Sequence, residues 1–303
     1  MTTSGRTPMT TSAPLLRARS LVKEFSTRDT AGLFGHRRTF RAVDDVSLDI
    51  AAGQTLALVG ESGSGKSTTA RLVGRLLDVT AGTVEVDGQD VTGLSGKDLH
   101  AFRSTVQFVF QDPYSSLNPR HTVEQIITAP LRYQGRKPPG GSRAFTRDLM
   151  DRVGLDPDHH QRYPRQFSGG QAQRIGIARA LAVGPRLVIC DEAVSALDVS
   201  VQAQVINLLR RLQREESFSY LFIAHDLAVV RTIAHQVAVM HRGRIVEAGH
   251  RDAVFDAPQH EYTRQLLAAV PRIRPEWERA RREREAGLRA PVDERVVEEE
   301  VRS

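Results

Sequence analysis

The stretch GESGSGKST, Gly60 to Thr68, stands between the apolar run QTLALV (Gln54 to Val59) and a segment, Thr68 to Leu77, whose apolar residues recur at helical spacing. A buried strand, a glycine-rich turn and a helix start in that order make a phosphate-binding loop. Gly60, Gly63 and Gly65 let the backbone turn tightly and aim its N–H groups inward, and the helix start adds partial positive charge facing a bound anion. Glu61, Ser62, Ser64 and Thr68 complete the cradle. Lys66 is placed to reach the β- and γ-phosphates, and the Ser67 hydroxyl is placed as a Mg2+ ligand, so the loop calls for a nucleotide such as ATP with its metal.

Outward from this loop, strands and helices alternate. Leu15 to Ile50 reads as an N-terminal antiparallel β segment, interrupted by a polar loop from about Ser26 to Thr39. A short β segment around GTVEVDG (Gly82 to Gly88) and a strand VQFVF (Val106 to Phe110) follow. From about Pro113 to Phe167 the periodicity is helical, broken by the Pro/Gly stretch RKPPGGSR (Arg136 to Arg143), which predicts an inserted helical subdomain. The remainder predicts a helix over Gly170–Ala182, strand Leu187–Cys190, helix Ser200–Arg214, strand Tyr220–Ala224, helix Leu227–Ala234 and strand Gln236–Met240. Such alternation predicts an α/β fold with a mainly parallel sheet covered on both faces.

Composition narrows the class further. The chain has 303 residues, 40% hydrophobic and 26% charged, enough for one ATPase domain with appendages. No apolar run approaches the roughly 18 residues that span a bilayer, so membrane-spanning partners are expected to be other chains. The start, MTTSGRTPMTTSAP, lacks the basic end and apolar stretch of a secretory signal, which predicts a cytoplasmic protein. MTTS recurs at Met9, as an unstructured tail or a second start would explain. The net charge of +6 is read as a solvated face rather than a nucleic-acid surface. A single cysteine, Cys190, inside an apolar strand excludes a disulfide framework and a cysteine metal cluster.

Two further clusters carry chemistry. Asp191 and Glu192 end the apolar strand LVIC, where open α/β sheets place their ligands. Asp191 suits a carboxylate near Mg2+, and Glu192 can orient and partly deprotonate an attacking water. In FSGGQAQRIGIARAL, Ser168, Gly169 and Gly170 precede a strongly helical sequence, a second anion-binding helix start. One nucleotide already has its cradle at Gly60 to Thr68. Two copies facing head to tail would give the second site a use.

In order along the chain, the phosphate loop, Gln111 in FQDPYSSLNPR, the signature Ser168 to Gln171, the acids Asp191 and Glu192, SALD (Ser195 to Asp198) and His225 in FIAHD resemble the nucleotide-binding subunit of an ABC transporter. The likeness covers about Leu15 to Pro271. QDPYSSLNPR, SALDVSVQAQV, YLFIAHDLAVV and PQHEYTRQLLAAVP (Pro258 to Pro271) are similar to the ATPases of oligopeptide, dipeptide and nickel importers. The resemblance implies a P-loop NTPase core that binds ATP and Mg2+ and hydrolyses ATP to drive import. It implies that Gln111 senses the metal and the lytic water, that His225 contacts the γ-phosphate and holds Glu192, and that Ser168 and Gly170 touch the partner's γ-phosphate. Asp198 is implied in joining the two halves. Phe25, with Phe40 as competitor, is the candidate to stack on adenine, a core aromatic being the plain alternative.

Implied partners are a second ABC ATPase, in a heterodimer by preference or a homodimer, two membrane permeases, and indirectly an extracytoplasmic solute-binding protein, with the chain peripheral on the cytoplasmic face of the membrane. No nucleic acid is expected. The competing reading is a soluble ABC ATPase acting on DNA or the ribosome, which the short separation of Lys66 from Ser168 and the single ATPase domain disfavour. Three departures are visible: Ala193 where the family commonly has proline, Phe167 where leucine is usual, and Glu261 where a proline is usual. None removes a functional group. The expected organisation is a disordered tail over 1–14, an ATPase domain over 15–271 with the helical subdomain at about 113–167 and the importer-type motif at about 244–271, and a charged extension over 272–303.

Overall fold

A computed structural model describes residues 13–28 and 37–269. The core of the predicted tail, the middle of the predicted loop at Ser26–Thr39, and the charged extension with Trp277 lie outside the described residues. What is described of that loop departs from expectation. Strand β1 (Leu16–Arg28) and strand β2 (Arg37–Ile50) keep pairing through Phe25↔Phe40, Thr27↔Arg38 and Arg28↔Arg37, so the flanks of the polar insertion are ladder. Backbone pairing continues there because cross-strand contacts, not hydropathy, set the ends of a two-stranded ribbon.

Elements then follow as β3 (Thr55–Val59), α1 (Lys66–Val73), β4 (Ala81–Val86), β5 (Gln89–Asp90), α2 (Gly96–Thr105) and β6 (Val106–Phe110). Next come α3 (Pro113–Ser116), α4 (Val123–Tyr133), α5 (Ser142–Arg152), two short 3-10 turns at Pro157–Gln161 and Pro164–Gln166, and α6 (Gly169–Leu181). The described residues continue through β7 (Leu187–Asp191), α7 (Val199–Glu216), β8 (Ser219–Ile223), α8 (Leu227–Ile233), β9 (Gln236–His241), β10 (Arg244–His250), α9 (Arg251–Asp256) and α10 (Glu261–Ala268).

Two sheets result. A four-stranded antiparallel sheet has the order β2-β1-β4-β5, and a six-stranded sheet has the order β10-β9-β3-β8-β7-β6. In the second, β9, β3, β8, β7 and β6 run parallel and only the edge strand β10 is antiparallel. Every residue of β3, β7 and β8 is buried. That is why these strands are continuous apolar runs rather than alternating ones. One hydrophobic cluster joins the sheets, with Leu72 and Val73 of α1 among Leu16, Leu21, Val46 and Val84 of the small sheet and Leu58, Ile189 and Met240 of the large one. Helix α1 is thereby fixed between two layers, and the phosphate loop that opens it is fixed with it.

Helix α1 stops at Val73, short of the predicted Leu77, with Gly74 as its C-cap and Arg75 at φ +52°. A Cβ on Gly74 would lie 2.3 Å from the Phe108 ring and 3.1 Å from Ile189 Cδ1. Only glycine lets the helix end lie flat on the sheet. Gly74→Ala is expected to lower stability by about 1–3 kcal/mol through overpacking, read as a lower denaturant midpoint with an unchanged slope.

Candidate functional site

Four parallel strands deliver the predicted residues to one sheet edge. Leu58 of β3, Ile223 of β8, Asp191 of β7 and Phe110 of β6 are neighbours across the ladder. The chain therefore leaves all four at one level, giving the phosphate loop after β3, His225 after β8, Glu192 after β7 and Gln111 after β6, at the carboxyl ends where such sheets bind ligands. Gln111 is exposed at this edge. Behind it the buried Gln173 of α6 donates from Nε2 to the Phe110 carbonyl at 3.2 Å.

The loop is held from outside. Gly60 has φ +145° and presses on β9, where a Cβ would lie 2.1 Å from the Met240 carbonyl oxygen. Gly243 N–H donates to Ser64 O at 2.9 Å, and Asp44 N–H donates to Gly243 O at 2.8 Å, so the β9–β10 turn ties the loop to β2. Inside the loop, Lys66 Nζ donates to the carbonyls of Gly60 (2.8 Å) and Glu61 (2.7 Å). Burial pushes the Lys66 pKa below the ordinary lysine value, while Glu192, Asp191 and Glu61 pull it back up. An ammonium steadied by two carbonyls in a desolvated loop presents its charge to an anion placed there.

Ser67 Oγ donates to Asp191 Oδ1 at 2.7 Å. A hydroxyl beside a carboxylate at the loop's mouth is a set of hard oxygen donors, the kind Mg2+ takes. Glu192 follows in the left-handed region at φ +52°. Its N–H donates to Ile223 O at 3.0 Å, and its carbonyl accepts from Ser195 N–H (3.1 Å) and Ser195 Oγ (2.9 Å). The backbone thus pins Glu192 and leaves the carboxylate to face the edge, 3.9 Å from the exposed His225 Nδ1.

The signature makes a separate cluster. Ser168 caps α6 reciprocally with Gln171: Gln171 N–H donates to Ser168 Oγ at 3.3 Å and Ser168 N–H donates to Gln171 Oε1 at 2.9 Å. A Cβ on Gly170 would lie 2.3 Å from Val201 Cγ1, and one on Gly169 would lie 3.8 Å from Leu197. Asp198, exposed, caps α7 by accepting from Val201 N–H at 2.9 Å and Ser200 Oγ at 2.7 Å, and these bonds lower its pKa. Among the described residues no hydrogen bond joins Ser168–Gln171 to Gly60–Thr68. Tyr114 Oη does donate to the Phe167 carbonyl at 2.8 Å, so the segment after Gln111 is tied to the residue before the signature.

Phe25 and Phe40 are direct cross-strand partners, 37% and 60% exposed. Neither is a core aromatic, which corrects that alternative: β1 and β2 turn this pair outward. A Cβ on Gly65 would lie 2.5 Å from the carbonyl of Ala42, two residues beyond Phe40.

Sequence reasoning missed the flank of the loop. Tyr262 of α10 is 8% exposed, accepts the Glu61 N–H on Oη at 3.1 Å, and stacks on His241 with ring centroids 4.0 Å apart. It sits inside PQHEYTRQLLAAVP, which served as a marker of resemblance. No local spacing ties it to residues two hundred positions away.

The sequence profile described as "ABC transporter" matches residues 43–195, and the one described as "Oligopeptide/dipeptide transporter, C-terminal region" matches residues 246–293. Over 270 residues the chain is 53% identical to the glutathione import ATP-binding protein GsiA of Escherichia coli (strain K12), and 54% identical to that of Shigella dysenteriae serotype 1 (strain Sd197). In both cases the match covers 89% of this chain and 43% of the relative, so the chain spans less than half the length of these curated relatives. Among solved structures, the dimeric post-hydrolysis state of the ATP-binding cassette MJ0796, bound to ADP and Pi, has TM-score 0.67 at 27% identity, covering 78% of this chain and 98% of that one. For cbiO1 of Clostridium perfringens, part of the ABC transporter complex cbiONQ, the TM-score is 0.68 at 24% identity over 86% of this chain and 98% of that one, a likeness of fold. With the phosphate loop, the strand acids and the signature in their places on this α/β fold, the chain belongs to the ABC transporter family as an ATP-binding cassette.

Proposed function

We propose that the chain binds and hydrolyses ATP to energise an importer of peptides or a related small solute. The observation that carries this is the convergence on one sheet edge of Lys66, Ser67 with Asp191 at 2.7 Å, and Glu192 with His225 at 3.9 Å. ATP places its phosphates in the Gly60–Thr68 cradle, with Lys66, steadied by its two carbonyls, presenting its charge to the β- and γ-phosphates. Ser67 and Gln111 would hold Mg2+, with Asp191 fixing the Ser67 hydroxyl as it does here, and the metal supplies neutralisation of phosphate charge. Glu192 orients a water for in-line attack on the γ-phosphorus and takes its proton. His225 steadies the Glu192 carboxylate and the γ-phosphate. ADP is the leaving group.

Ser168 and Gly170 face a nucleotide on a second cassette rather than this chain's own, which explains why the signature is built apart from the phosphate loop. Hydrolysis accordingly needs two cassettes head to tail, and alternating closure and opening transmits motion to the permeases. The related MJ0796 cassette is dimeric in its solved states. We place the chain peripherally on the cytoplasmic face of a membrane, with a second, similar ATPase, two permeases and an external binding protein as its assembly. Among the described residues no helix is long and apolar enough to cross a membrane. The importer-type match at residues 246–293 and the glutathione-import relatives weigh for a peptide-like cargo and against the DNA or ribosome alternative.

The test is to tag the chain in its own cell, solubilise membranes gently with ATP present, and identify what co-purifies. Two polytopic permeases with a second ATPase are expected. Ribosomal or DNA-repair proteins without a membrane partner would overturn the transport reading.

A further inference from the structure

We propose that Tyr262 is a positioning residue for Lys66, acting through the single peptide unit that joins Gly60 to Glu61. The proposal rests on the ATP-binding reading above and deepens it. The carbonyl of Gly60 and the N–H of Glu61 belong to one trans peptide plane and point in opposite directions. Tyr262 Oη accepts that N–H at 3.1 Å on the outer side, and the carbonyl faces inward onto Lys66 Nζ at 2.8 Å. Gly60 at φ +145° lacks the Cβ that would resist rotation of this plane. Tyr262 supplies the missing restraint: while it holds the N–H outward, the carbonyl cannot turn away from the ammonium.

The phenol is itself anchored. It is 8% exposed and its ring stacks on His241, the residue after Met240 that presses on Gly60. Burial raises its pKa above that of a free phenol, so it remains a neutral acceptor at physiological pH. Helix α10, which carries it, starts on Glu247: the carboxylate accepts the N–H groups of Gln259 at 2.8 Å and His260 at 3.0 Å. Strand β10, through Glu247, and helix α10, through Tyr262, therefore form a buttress from the C-terminal region to the phosphate loop.

The experiment compares the full chain with Tyr262→Phe, which keeps the ring and its stack and removes only the acceptor, and with Tyr262→Ala, which removes both. The readouts are the Kd for a fluorescent ATP analogue, the split of KM for ATP against kcat, and the melting temperature without nucleotide. One neutral hydrogen bond carries a modest net effect, so Tyr262→Phe is expected to raise Kd and KM about fivefold with kcat unchanged and the melting temperature lowered by no more than about 4 °C. Tyr262→Ala is expected to show at least that shift together with a larger fall in melting temperature. An unshifted Tyr262→Phe overturns the proposal, as does a KM rise that comes only with falling kcat and a larger fall in melting temperature. A wild-type chain that fails to bind the analogue overturns the ATP-binding reading and this role with it. Normal wild-type binding with an unshifted variant overturns the role of Tyr262 alone.

Discussion

Glu192→Gln is expected to cut ATP turnover by about a hundred- to ten-thousand-fold, the usual worth of general-base assistance, while ATP binding is retained. The backbone around Glu192 explains why these effects separate. Its N–H is spent on Ile223 O, and its carbonyl is held by Ser195 through both N–H and Oγ. The φ of +52° is imposed by that frame and not by the carboxylate. Glutamine, with the same shape, should occupy the same position under the same strain but cannot take a proton from water. Its side chain also leaves the contact of Ser67 with Asp191 untouched. Phosphate release assays and titration with a fluorescent ATP analogue check both halves. Undiminished hydrolysis would remove Glu192 from the proposed mechanism, and loss of binding as well as turnover would make its role structural.

Much of this site is legible in the sequence because its parts are local. A P-loop is a strand, a glycine turn and a helix in one stretch, and the acids simply follow an apolar run. The ladder then does the rest: parallel strands ending at one level bring Gln111, Asp191, Glu192 and His225 to one edge without any long-range information in their spacing. Sequence pattern failed where an element's end is set by a distant surface. Helix α1 was expected to run to Leu77 and stops at Val73, where Gly74 lies flat on Phe108 and Ile189 and Arg75 enters the left-handed region. Helix α2, a short amphipathic piece with only Phe102 buried, gave too little periodicity to read. Strand β10, with every residue exposed or half-buried, shows a pattern that hydropathy does not separate from loop. Tyr262 was invisible for a further reason, since its partner is a backbone N–H and a backbone group leaves no residue type to recognise.

Lys66→Met should weaken ATP binding by about thirtyfold to several thousandfold, the range for removing one partner of a buried, hydrogen-bonded charge pair. Without nucleotide the ammonium is a tenant of the loop, on Gly60 O and Glu61 O, with the carboxylates of Glu192, Asp191 and Glu61 offsetting part of its burial. A phosphate brings charge that neither carbonyl carries, so the gain on binding is largely electrostatic and falls with the charge. Lys66→Arg is expected to fail nearly as badly, because a planar guanidinium cannot replace a compact ammonium between two carbonyls. The pH dependence follows with a definite sign. Burial lowers the Lys66 pKa from 10.5, and the anion binds the protonated form. Affinity is therefore full below the lowered pKa and lost as pH rises through it, earlier on the alkaline side than for an exposed lysine. Titrating ATP affinity against pH in the wild-type chain and in Lys66→Met separates this from other alkaline effects: the alkaline fall should vanish in the variant. Persistence of the same fall in Lys66→Met would assign it to another group, and undiminished ATP binding in the variant would remove Lys66 from the nucleotide site.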